Sequence, residues 1–142
     1  MLYFDTSFLT PLFLDEATSA AVEDFIAHLP PDSLAVSHWT RVEFSSLLAR
    51  EVRMGGLDAA TARDTDAAFE AVVRESFHVL TPAAEDFDRA KTYLGRPGTG
   101  LRAGDALHLA IAGRSGVDTI YTLDKTMLRA GNRLGVRVGS IV

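Results

Sequence analysis

Apolar and polar positions change their period repeatedly along the chain. Short apolar runs occur at "LYF" (2–4), "SLAVS" (33–37), "FHVLTP" (77–82), "DTIYTLD" (118–124) and "VRVGSIV" (136–142). Each is the length of a strand and is bounded by turn formers. Between them the spacing is helical. "TSAAVEDFIAHL" (18–29) stops at Pro30-Pro31, and "HWTRVEFSSLLAREVRMGG" (38–56) takes Thr40 as N-cap and Gly55-Gly56 as its stop. "LDAATARDTDAAFEAVVRES" (57–76), "AAEDFDRAKTYLG" (83–95) behind Pro82, the stretch after the "RPGTG" loop (96–100), and "KTMLRAGNRLG" (125–135) complete the helices. Strands alternating with helices predict a three-layer α/β/α fold with a central parallel sheet, joined by right-handed crossovers.

In such sheets, sites lie beyond the carboxyl ends of the strands. Asp5 follows the first strand and Asp124 the fourth, so both are predicted on one edge of the sheet. Each also has a plain structural role available, as the N-cap of the helix that follows it. Thr40 and Glu43 fit a capping box, in which Glu43 reaches back to its own helix start. Glu43 also borders the apolar stripe of that helix, where a side chain can line a cleft. Glu51, two turns later, competes for the same role.

Asp105 fits a plain role least well. In "LRAGDALHLAIAGRSG" (101–116) the helix is apolar on nearly every side, the pattern of a buried helix. A buried carboxylate is costly unless it has a partner or gives up its charge. Pairing with Arg102, three residues earlier, leaves the apolar run unexplained. Carboxylates brought together repel one another, and a divalent cation reverses that and keeps them ionised. Separated acids with no histidine or cysteine among them make an oxygen-only site suited to Mg2+ or Mn2+.

Composition narrows the function classes. The 142 residues suit one domain, residues 1–142, and contain no cysteine, so neither disulfides nor thiolate metal sites are available. The N-terminus "MLYFDTSFLTPLFLDEA" is apolar but has no basic leader, and no run is long enough to span a membrane, which predicts a cytoplasmic protein. The net charge of −5 is unevenly distributed. Residues 1–90 hold six Lys/Arg and sixteen Asp/Glu, whereas residues 91–142 hold eight Lys/Arg and three Asp/Glu. In that basic third, Arg96, Arg102, Arg114, Lys125 and Arg129 are candidate phosphate contacts, each also explained as solvated surface.

"LYFDTSFL", "SHWTRVEFSSLLAR", "LRAGDALHLAIA" and "IYTLDKTMLRA" resemble, in order and spacing, the four motif blocks of PIN-domain ribonucleases. The likeness is strongest to VapC toxins of bacterial toxin–antitoxin pairs. The resemblance implies a PIN-like fold, Mg2+- or Mn2+-dependent cleavage of RNA, and a VapB-like antitoxin as partner. It places the metal-binding and catalytic acids at Asp5, Glu43, Asp105 and Asp124. Thr6 or Ser7 matches the polar residue beside the first acid, and Thr122 the hydroxyl two before the last. A homodimer is expected.

Two other functions fit part of the pattern. One is a phosphohydrolase with Asp5 as nucleophile, and the absence of a second aspartate at position 7 counts against it. The other is a catalytically inactive PIN-like binding module. His108, one turn after Asp105, is read first as a packed helix histidine and second as a group that orients a carboxylate or contacts RNA. His28, His38 and His78 lack metal-ligand spacing. Trp39 can stack a base, but an aromatic beside a helix start is more often core or interface.

Overall fold

The computed structural model describes residues 1–142. Five short parallel strands form one sheet in the order β3-β2-β1-β4-β5. They are β1 (Leu2–Phe4), β2 (Leu34–Ser37), β3 (His78–Leu80), β4 (Thr119–Tyr121) and β5 (Val138–Gly139). The helices are α1 (Thr6–Leu9), α2 (Ser19–Ala27), α3 (His38–Arg53), α4 (Ala59–Ser76), α5 (Ala84–Leu94), α6 (Ala103–Arg114) and α7 (Lys125–Arg133), with a 3-10 turn at Thr10–Leu12. The predicted α/β alternation is present. The last strand is shorter than its apolar run, two residues of the seven.

Alternation along the strands separates two cores. In β1, Phe4 faces one side and Tyr3 the other. On the first side Phe4, Phe8, Leu34, Val36, Phe44 and Phe69 pack beneath α3 and α4, where the Phe44 and Phe69 rings stack at 4.1 Å. Each such aromatic contributes roughly 1.5–3 kcal/mol by leaving water. On the second side Tyr3, Ala35, Leu109, Ile120 and Met127 pack together. There α6 lies between the sheet and α5, so that Leu109 meets the sheet core while Ala106 and Ala110 meet Ala90. That double contact explains why residues 106–112 are all buried.

The start of α3 differs from expectation. Ser37, not Thr40, is its N-cap, and Thr40 is the third helical residue, its hydroxyl accepting from the Ser37 N–H at 3.2 Å. β2 runs into α3 without a connecting residue, so the helix begins at His38. Glu43 therefore lies a turn inside the helix and takes no part in a capping box.

Candidate functional site

The register of the central strands builds the site. Tyr3 pairs with Ile120 and Phe4 with Tyr121, so the chain leaves β1 and β4 at the same edge. The Asp5 N–H continues the pairing to the Tyr121 carbonyl at 3.1 Å. Asp5 is the N-cap of α1, one oxygen accepting from Phe8 N–H at 3.0 Å and Ser7 Oγ at 2.8 Å. Its other oxygen accepts from Thr122 Oγ1 at 2.6 Å. Thr122 Oγ1 in turn accepts from Asp124 N–H at 3.0 Å, and Asp124 caps α7 through Met127 N–H at 3.0 Å. Both aspartates are thus caps, and capping occupies only part of each carboxylate. Burial raises the Asp5 pKa, against the opposing pull of His108 and of the three donors.

Glu43 enters from α3. One of its oxygens accepts from Thr6 Oγ1 at 2.6 Å and is in hydrogen-bonding contact with His108 Nε2. His108 is fully enclosed, and its Nδ1 lies 2.7 Å from the Tyr3 hydroxyl, itself 2.9 Å from Ser37 Oγ. Burial works against a charge on the ring. The Tyr3 hydroxyl and the Glu43 and Asp5 carboxylates outweigh it and push its pKa up to about 10. For Glu43 burial likewise opposes ionisation, and His108 and Thr6 overcome it, holding the carboxyl below its usual range. Both ring nitrogens of His108 are thus held, Nε2 against Glu43 and Nδ1 against Tyr3. His108 orients a carboxylate, the role ranked second for it from sequence, and is packed as well.

Asp105 stands in the first turn of α6, half-buried. It accepts no hydrogen bond from any side chain and pairs with no base. Arg102 caps α6 from an exposed position without forming the ion pair the sequence allowed. Burial first, then repulsion from Asp124, Asp5 and Glu43, lifts the Asp105 pKa to about 6, with only His108 opposing. Asp105 thus lies within the field of the other three acids. Gly104 makes room for this, since a Cβ there would sit 2.6 Å from Glu43 Oε2. As the side chains stand, no three are placed to grip one ion together. The donors available are oxygens only, and the Asp105 carboxylate lacks any partner of its own.

A model of the PIN domain matches residues 2–132. The chain belongs to the PIN domain family. Solved structures with the same fold include VapC20 of Mycobacterium tuberculosis, described as a sarcin-ricin loop cleaving toxin. It is 22% identical with a TM-score of 0.73, and the alignment covers 92% of this chain and 95% of that one. VapBC-1 of nontypeable Haemophilus influenzae is 18% identical, with a TM-score of 0.66 and coverage of 99% and 98%. PAE2754 of Pyrobaculum aerophilum is 27% identical, with a TM-score of 0.65 and coverage of 96% and 82%. A comparison with curated protein sequences found no match.

Against this PIN fold the remaining sequence candidates separate. Ser7 and Thr122 are 3.2 Å apart and touch Asp5, and Thr6 touches Glu43, so all three hydroxyls support the acids. Glu51 stays outside the cluster, beside Gly56 on a groove of ≈ 610 Å³ that Glu43 also borders. Arg96, Lys125 and Arg129 are exposed. Arg114 is not a free phosphate contact, because its guanidinium donates to the buried Asp86 at 2.6 Å and ties α6 to α5. Trp39 donates to the Gly104 carbonyl at 3.2 Å, joining α3 to the turn that carries Asp105. Tyr3 went unnoticed in the sequence, although a tyrosine inside a strand between two apolar residues signals a buried hydroxyl in need of a partner. No helix is long and apolar enough to cross a membrane.

Proposed function

We propose that residues 1–142 form a single PIN-like nuclease domain acting as a metal-dependent endoribonuclease, the VapC-type toxin of a toxin–antitoxin pair. The observation that carries this reading is Asp105, a half-buried carboxylate with no hydrogen-bond partner, in the first turn of α6. It stands beside Gly104, which faces Glu43, and within the field of Asp124, Asp5 and Glu43. Such an arrangement is unfavourable for the free protein and favourable around a hard cation. Asp5, Glu43, Asp105 and Asp124 would hold Mg2+ or Mn2+. When bound, the ion supplies charge neutralisation and an acidified water for attack on a phosphodiester. Thr122 and Ser7 fix the Asp5 carboxylate, and Thr6 and His108 fix Glu43 by one oxygen and leave the other facing Gly104.

A partner is part of the proposal. One solved structure of the same fold is described as a toxin–antitoxin complex from Klebsiella pneumoniae, and a VapB-like antitoxin fits this chain because its gathered acids invite an inserted arginine or lysine. A homodimer in the cytoplasm is the proposed working form. The test is cleavage of single-stranded and structured RNA with Mg2+ or Mn2+, with and without chelator. The Asp5→Asn variant is the control. Cleavage that needs the ion and is lost in a folded Asp5→Asn protein is the expected result. Cleavage undiminished in that variant refutes the assignment.

A further inference from the structure

A second feature lies beside the acids and is basic. The Gly98–Gly100 loop and α7 border an open pocket of ≈ 360 Å³ lined by Gly98, Thr99, Gly100, Thr126, Arg129 and Arg133. Gly98 and Gly100 adopt φ of +77° and +67°, so the loop turns in a way that side-chain-bearing residues resist. A Cβ on Gly98 would meet three atoms of the Arg133 guanidinium at 3.3 Å, and one on Gly100 would meet Thr126 at 3.3 Å. The glycines therefore let the loop lie directly against α7.

Arg129 and Arg133 are one turn apart on α7, and neither pairs with a carboxylate. Their hydrogen bonds are long, 3.4 Å from Arg129 to Thr126 Oγ1 and 3.4 Å from Arg133 to the Gly98 carbonyl. Each guanidinium carries five N–H donors, so most remain free. Two exposed guanidinium groups with no carboxylate partner, side by side on a chain of net charge −5, leave most of their donors free for an anion. The two segments lining the cavity also deliver the acids. The loop runs into α6 and Asp105, and α7 starts at Asp124. Arg129 lies about 7.5 Å along the helix from Asp124 at the rise of an α-helix, beyond contact with any group at the acids but within reach of a strand lying across them.

We infer that this cavity binds a backbone phosphate of the RNA strand next to the scissile bond, gripping it through Arg129 and Arg133. The inference rests on the ribonuclease reading and adds the subsite that sets where the strand lies. Phosphate contacts position a strand without reading its sequence, so the pocket fixes register and leaves base preference to other groups.

The experiment uses the Asp5→Asn protein and a fluorescent single-stranded oligoribonucleotide, titrated across a salt series. Changing Arg129 and Arg133 together to glutamine is expected to weaken binding roughly tenfold for every sequence tried. The slope of log affinity on log salt should flatten by about 0.7 for each phosphate held. Lysine at both positions should retain the slope, and the Gly98, Thr99 and Gly100 amide resonances should shift on RNA addition only while the arginines are present. Unchanged affinity and slope in a folded glutamine variant, with the wild-type protein still cleaving RNA, overturns the pocket and spares the ribonuclease reading. A wild-type protein that neither binds nor cleaves RNA overturns both.

Discussion

Replacing Asp105 by asparagine should stabilise the metal-free protein. The Asp105 pKa moves from 3.8 to about 6 on folding, a displacement worth about 3 kcal/mol at full weight. The carboxylate is partly open to water, and screening reduces this to ~1.5 kcal/mol. A carboxylate in the first turn of a helix contributes ~0.5 kcal/mol that asparagine forfeits. Repulsion therefore wins, and Asp105→Asn should gain about 1 kcal/mol, or roughly 3–4 °C in melting temperature for a chain of this length. The gain must depend on pH. Because the folded chain holds the Asp105 proton more tightly, its stability is greatest below 3.8 and is lost as pH rises through about 6. Variant and wild type should melt nearly together at pH 4 and separate to the full difference by pH 7. Circular dichroism melts with chelator across that range provide the measurement. Adding Mg2+ should then raise the wild type and narrow the gap. A variant that melts below the wild type at pH 7 without metal, or a gap that ignores pH, refutes the reasoning.

Gly104→Ala places a methyl 2.6 Å from the Glu43 oxygen that faces away from His108, so it should cut RNA cleavage at least tenfold. Stability should hold or rise, since alanine gains up to about 1 kcal/mol of helix propensity. Full activity with an unchanged melting point would show that Glu43 need not stay in place. Thr40→Val removes the acceptor for the enclosed Ser37 N–H and should cost ~1–3 kcal/mol in urea unfolding. A loss below ~0.5 kcal/mol would contradict that cap assignment.

Much of this was legible in the chain because the signals were local. Apolar runs of strand length, proline and glycine stops, and the rule that sites gather at strand ends are enough to place Asp5 and Asp124 together. The apolar run around Asp105 marked a buried helix, and α6 is indeed packed on two sides. The start of α3 misled because Ser37 satisfies a strand pattern and a cap at once, and nothing in the residues marks a junction with no connecting residue. The Tyr3–His108 contact joins residues 105 apart and depends on which face of β1 turns toward α6. No period or spacing encodes that. Arg114 looked like its basic neighbours because its partner, Asp86, lies on a different helix.

The hydrogen bond between Asp5 and Thr122 spans 117 residues, and β4 joins the sheet beside β1, its first strand. The first acid thus leaves the ribosome long before the strand that completes its setting. Closing so long a loop is slow relative to local helix formation. At synthesis rates of roughly 5–20 residues per second, the nascent chain spends several seconds before Thr122 can reach Asp5. The setting of Asp5 is therefore incomplete until β4 and Thr122 have been made. On the proposed toxin reading, that delay would give an antitoxin time to meet the protein as its acids first come together.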